Sequence, residues 1–106
     1  MEKDIIDTNR DKERELSPRD EAGNAHGKWL SYFKNGFLFY ERNFVHGVEN
    51  GLRREWWING RIRYERPIFN GRVKGNFKIW HANGELRASF TQFDRLIEGE
   101  EVSFEY

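Results

Sequence analysis

Residues 51–65 read GLRREWWINGRIRYE: a run ending in two tryptophans, then Asn59-Gly60, then a run in which Ile62 and Tyr64 alternate with Arg61, Arg63 and Glu65. Asn and Gly both accept positive φ, so Asn-Gly between two runs rich in aromatic and β-branched side chains is a strong short-range hairpin signal. The stretch predicts strand, tight turn, strand.

The same spelling returns on both sides. Gly27, Gly51, Gly75 and Gly99 are spaced by 24 residues, and so are Asn35-Gly36, Asn59-Gly60 and Asn83-Gly84. An aromatic column, Tyr32, Trp56, Trp80 and Phe104, and an aliphatic column, Leu38, Ile62 and Leu86, keep that spacing, as do Tyr40 and Tyr64. Gly47 and Gly71 recur too, whereas the third copy has Arg95. Expected strands cover 28–33 with 37–44, 52–57 with 61–68, 76–81 with 85–90, and a last half-unit over 100–106.

Turn length decides which columns share a face. A two-residue loop would put the aromatic and aliphatic columns on opposite sides. A three-residue loop with its glycine left-handed in a G1 bulge instead pairs Tyr32 with Leu38, Trp56 with Ile62 and Trp80 with Leu86. The second arrangement is expected, with Tyr40 and Tyr64 on that same face. One side then becomes an apolar stripe, the repeat core, and the other carries Ser31, Glu55, Arg61, Arg63 and Arg87. The fold class is all-β: antiparallel hairpin repeats of 24-residue period in a single-layer sheet, flat or curved, or an open solenoid. Burying one large aromatic contributes roughly 1.5–3 kcal/mol, so the columns are the expected main source of stability.

Residues 1–26 differ. They hold 8 acidic and 5 basic groups, with Ile5, Ile6 and Leu16 as the large apolar side chains, and all 17 aromatics lie from Trp29 onward. They are expected to be a charged tail, disordered or with a short helix over 11–16. The repeat domain is then 27–106, in units 27–50, 51–74 and 75–98 and a half-unit 99–106.

The 106 residues carry 18 Lys+Arg against 18 Asp+Glu and no Cys. Balanced charge gives no global pull toward nucleic acid or an anionic membrane. Absent cysteine removes disulfide, thiolate and Cys–zinc chemistry, and the charged N-terminus lacks the apolar run of a signal peptide, so a cytoplasmic protein is expected.

The pattern Gly-x4-aromatic-x2-Asn-Gly-x-Leu/Ile-x-Tyr-Glu resembles the MORN repeat and, more closely, a bacterial variant group associated with antitoxins of toxin–antitoxin systems. It is carried by Gly27, Tyr32, Asn35, Gly36, Leu38, Tyr40 and Glu41, then by Gly51, Trp56, Asn59, Gly60, Ile62, Tyr64 and Glu65. The third copy keeps Gly75, Trp80, Asn83, Gly84 and Leu86 but has Ala88 and Ser89 in place of Tyr and Glu. About 80 residues are covered. The resemblance implies a scaffold or protein-binding module, or a binder of lipid.

Function is expected where the copies differ. Trp29, Phe33, Phe37, Phe39 and Trp57 fall on the face assigned as polar, where they read either as an exposed interaction patch or as a seat for the tail. Arg53, Arg54, Arg61, Arg63, Arg66, Arg72 and Lys74 oppose Glu55 and Glu65 alone in the second unit, a local charge of +5. That excess suits an acidic protein or phosphate, or is a solvated sheet surface. Asp94, Glu98, Glu100, Glu101 and Glu105 make an acidic end that protects an edge strand or joins two copies. His26, His46 and His81 occupy unrelated positions and form no metal-ligand spacing, and Glu41 and Glu65 read as structural partners of backbone or arginine. No catalytic residue, metal or cofactor is assigned. The expected activity is non-enzymatic: binding of a protein partner, of antitoxin or immunity type with a cognate toxin, with anionic-lipid binding or self-association as alternatives and nucleic acid not expected.

Overall fold

The computed structural model describes residues 9–93 and the strand at 103–104. The elements are β1 (Arg10–Leu16), β2 (Gly27–Phe33), β3 (Leu38–Val45), β4 (Val48–Glu49), β5 (Gly51–Trp56), β6 (Ile62–Phe69), β7 (Arg72–Trp80), β8 (Leu86–Phe93) and β9 (Ser103–Phe104). They form one antiparallel sheet in the order β1-β2-β3-β5-β6-β7-β8-β9, with β4 paired to β3. The sheet is open, as its two ends do not pair. The all-β antiparallel class is as the sequence implies. Residues 94–102 and the side chain of Phe104 lie outside the described part, and with them most of the expected half-unit.

The Asn-Gly turns are built alike. Phe33 N–H donates to Phe37 O and Gly36 N–H to Phe33 O; Trp57/Arg61 with Gly60, and His81/Glu85 with Gly84, repeat both bonds. Gly36, Gly60 and Gly84 sit at φ 96°, 90° and 95°, the left-handed position of the three-residue loop with G1 bulge. The asparagines do two jobs. Each side-chain oxygen accepts from the backbone N–H two residues on, at Phe37, Arg61 and Glu85. The side-chain amides of Asn35 and Asn59 reach the next turn, donating to Ile58 O and Ala82 O at 2.8 Å. At the opposite end of the hairpins, His46-Gly47 and Asn70-Gly71 both have positive φ, as a two-residue primed turn requires.

These turns pair Tyr32 with Leu38, Trp56 with Ile62 and Trp80 with Leu86, as expected. The expected face of Tyr40 and Tyr64 is not observed. Each hairpin slips again one step further in: Ser31 pairs with Tyr40, Glu55 with Tyr64 and Ile79 with Ala88, leaving Phe39, Arg63 and Arg87 as extra residues. One extra residue inverts the alternation beyond it. Tyr40 and Tyr64 therefore share a face with Ser31 and Glu55, opposite the aromatic column.

That second face is where the core lies. Register places Ser31, Phe33, Glu49, Ile68, Phe77 and Gln92 on it, and the Phe33–Phe39 ring contact at 5.0 Å adds Phe39. These seven are the buried residues among those described. This is the inner face of the sheet, the more buried of its two sides. The columns expected as core, Tyr32, Trp56, Trp80, Leu38, Ile62 and Leu86, lie on the outer face; the first five are half-buried and Leu86 is 54 % exposed. The outer face also carries a cross-strand row of alternating charge, Glu41, Arg54, Glu65 and Lys78.

The tail is not a helix over 11–16. Arg10–Leu16 is a strand on the free edge of β2, with Asp11 opposite Tyr32 and Leu16 opposite Leu30. Backbone hydrogen bonding to an otherwise unpaired edge outweighs local helix preference, and the five exposed positions from Lys12 to Leu16 suit an outermost strand. The chain then returns through an Asp20 turn, where Asp20 Oδ1 accepts from Ala22 N–H and Asn24 N–H, and lays Pro18 against Trp29.

Candidate functional site

The centre of the inner face is polar. Tyr40, Arg42, Arg53, Glu55 and Tyr64 line a recess of about 110 Å³. Cross-strand register builds it: Tyr40 lies opposite Glu55, Glu55 opposite Tyr64, and Arg53 opposite Arg66. Glu49, brought in by β4, accepts from Arg53 at 2.6 and 2.9 Å and from Arg42 at 3.0 and 3.3 Å. Arg63 donates to Glu55 at 3.0 Å and lies 4.6 Å over the Trp57 ring. Arg66 stands 4.4 Å over Phe77, and Phe77 packs on Tyr64 and Phe90.

The electrostatics follow from this packing. Burial disfavours the Glu49 carboxylate, but the hydrogen bonds from Arg53 and Arg42 overcome it and hold its pKa below the ordinary value. Glu55 goes the other way: burial outweighs the attraction of Arg63 and raises its pKa. Burial and the neighbouring Glu55 also raise Tyr64. Burial and the facing Arg53 lower Arg66.

The sequence-predicted site residues scatter. Phe33 and Phe39, read as a surface patch, are 4 % and 9 % exposed and belong to the core. Trp29 seats the tail, as its indole N–H donates to Pro18 O at 2.8 Å and Arg19 stacks on its ring. Phe37 is exposed, and its ring covers Gly60 of the next turn. The arginines divide: Arg53 and Arg63 face inward with Arg66, Arg54 pairs with Glu65 at 3.0 Å on the outer face, and Arg61 binds Asn83 O above Gly84. Glu41 pairs with Lys28 at 3.2 Å; Glu41 and Glu65 do not face each other, because Arg54 stands between them. Tyr40 and Tyr64, read as core, line the recess instead. Sequence reasoning did not find Arg42 and Glu49, since Glu49 reaches the site only through a two-residue strand.

Away from the recess the loops bring together His26 and His46, whose rings stack at 4.2 Å, and His46 Nδ1 lies 2.7 Å from Asp20. The His46 hydrogen bond lowers the Asp20 pKa. Among the described residues no group of three or more His, Cys, Asp or Glu is arranged to hold a metal ion, and no helix is long and apolar enough to cross a membrane. No family model, curated protein or solved structure matches the chain.

Proposed function

We propose that this chain is a non-enzymatic protein-binding module, of the antitoxin or immunity kind that its MORN-like motif implies, and that it engages its partner through the inner face. The observation that supports this is the recess of Tyr40, Arg42, Arg53, Glu55 and Tyr64, with Trp57 and Phe77 beside it. Aromatic and arginine side chains together are the composition of binding hot spots. Glu55 and Tyr64 have shifted proton affinities, but among the described residues no Ser, Thr, Cys or Lys lines the recess with them, so binding suits the geometry better than catalysis.

Anionic lipid fits less well. The arginines that would form a basic patch lie on different faces, and the outer face alternates sign along Glu41, Arg54, Glu65 and Lys78. Co-expression with the products of adjacent genes, followed by affinity capture and size-exclusion chromatography, tests the proposal. A stable complex with one neighbour, abolished by Arg63→Glu, is expected. No complex with any neighbour, or one indifferent to Arg63→Glu, overturns it.

A further inference from the structure

Among the described residues of the inner face Arg42, Arg53, Arg63 and Arg66 surround Glu49 and Glu55, while Glu15 beside Ser31 is paired with Arg10, so the cations outnumber the carboxylates there. The excess is concentrated at Arg66. Arg42 and Arg53 both bind Glu49, and Arg63 binds Glu55. Arg66 has no carboxylate partner among the described residues, and its buried Nε makes no hydrogen bond. Its cross-strand neighbour is another cation, Arg53. Two guanidiniums facing each other on adjacent strands repel, and a buried donor without an acceptor costs free energy. An anion between them would offset the repulsion.

We propose that Arg66, with Arg53 beside it, receives the carboxylate of an Asp or Glu side chain from an extended segment of the partner, whose apolar side chains rest on Tyr40 and Tyr64. This rests on the protein-binding reading above and specifies its partner's chemistry. A guanidinium fork matches a carboxylate in two-point geometry. A polyanion suits the face less well, because Glu49 and Glu55 stand between the cations and repel a row of phosphates.

The test is an NMR titration of the arginine Nε–Hε resonances of the full chain with a capped pentapeptide valine–serine–glutamate–serine–valine, whose valines and glutamate share one face when extended, beside its glutamine counterpart. The Arg66 and Arg53 signals should shift saturably with the glutamate peptide, and the glutamine peptide should bind about tenfold more weakly. Arg66→Met and Arg66→Lys should each weaken binding several-fold, Lys because it keeps charge but loses the fork. Inorganic phosphate and phosphatidylglycerol vesicles should not displace the peptide at matched charge. Equal binding of the glutamine peptide, an unaffected Arg66→Met, displacement by phosphate or vesicles, or no saturable shift below about 10 mM overturns the proposal. If a co-expressed partner still binds in that case, the protein-binding reading stands and only the carboxylate site falls. If the peptide binds where no neighbouring gene product does, the choice of partner falls and the carboxylate site stands.

Discussion

Glu49 and Arg53, four residues apart on β4 and β5, form a two-point ion pair in which Arg53 Nη2 lies 2.6 Å from Oε1 and Nε 2.9 Å from Oε2. Arg42 of β3 binds the same two oxygens. The short β4 is thus tied to both its neighbours through one carboxylate that is 7 % exposed. Glu49→Gln leaves guanidinium donors facing an amide N–H, and should cost about 2 kcal/mol in chemical denaturation.

Glu49 and Glu55 should give opposite pH signatures. Glu49 has a lowered pKa in the folded state, so its stabilisation is present above the ordinary value of 4.5 and is lost as pH falls through the lowered folded value. Glu55 has a raised folded pKa, so folding favours its protonated form, and stability declines as pH rises from 4.5 through the raised value. Denaturation across the acid range should therefore show a flatter acid limb for Glu49→Gln. Glu55→Gln should show a steeper rise of stability with pH than the parent.

The core position can be checked by truncation. Phe77, buried at 8 % exposure on the inner face, should cost about 3 kcal/mol as Phe77→Ala, while the exposed column residue Leu86 should cost under about 1 kcal/mol as Leu86→Ala. Equal losses would mean that the columns, not the inner face, carry the core.

Gly75 separates crowding from backbone strain. A Cβ there would sit 2.8 Å from Pro67 Cγ at φ 129°, whereas at Gly23, φ 89°, it would meet nothing within 4 Å. Gly75→Ala should cost about 2–3 kcal/mol in thermal unfolding, and Gly23→Ala about 1 kcal/mol.

Arg66→Met should leave the melting temperature unchanged or raised. It removes the repulsion from Arg53 while its thioether stem keeps contact with Phe77. A marked fall in melting temperature would mean that Arg66 is held for folding rather than for binding.

Strands and turns were legible in the sequence because Asn35-Gly36, Asn59-Gly60 and Asn83-Gly84 have few backbone alternatives, and the glycine position dictates the pairing of Tyr32 with Leu38. The second slip was not legible. Nothing in the chemistry of Phe39 or Arg63 marks it as an extra residue, yet each exchanges the faces of all that follows it on its strand. Reading Tyr40 and Tyr64 as core follows from that one step; Phe33 keeps the face that the turn gives it, and reading it as surface follows from taking the side of the apolar columns for the core. The strand at Arg10–Leu16 was hidden for another reason: it is held by the edge of β2, which its charged sequence does not advertise. The recess joins residues of β3, β5 and β6 and depends on the face assignment, so of its arginines only Arg53 stood out beforehand.

In the proposed mode of binding the inner face meets the partner and the outer face does not. Charge reversal on each side of the same strand pair tests it: Arg63→Glu acts on the inner face and Arg54→Glu on the outer. Partner affinity measured by calorimetry should fall at least tenfold with Arg63→Glu and stay within about twofold with Arg54→Glu, a difference of roughly 1 kcal/mol or more. Loss of binding through Arg54→Glu with Arg63→Glu unaffected would contradict it.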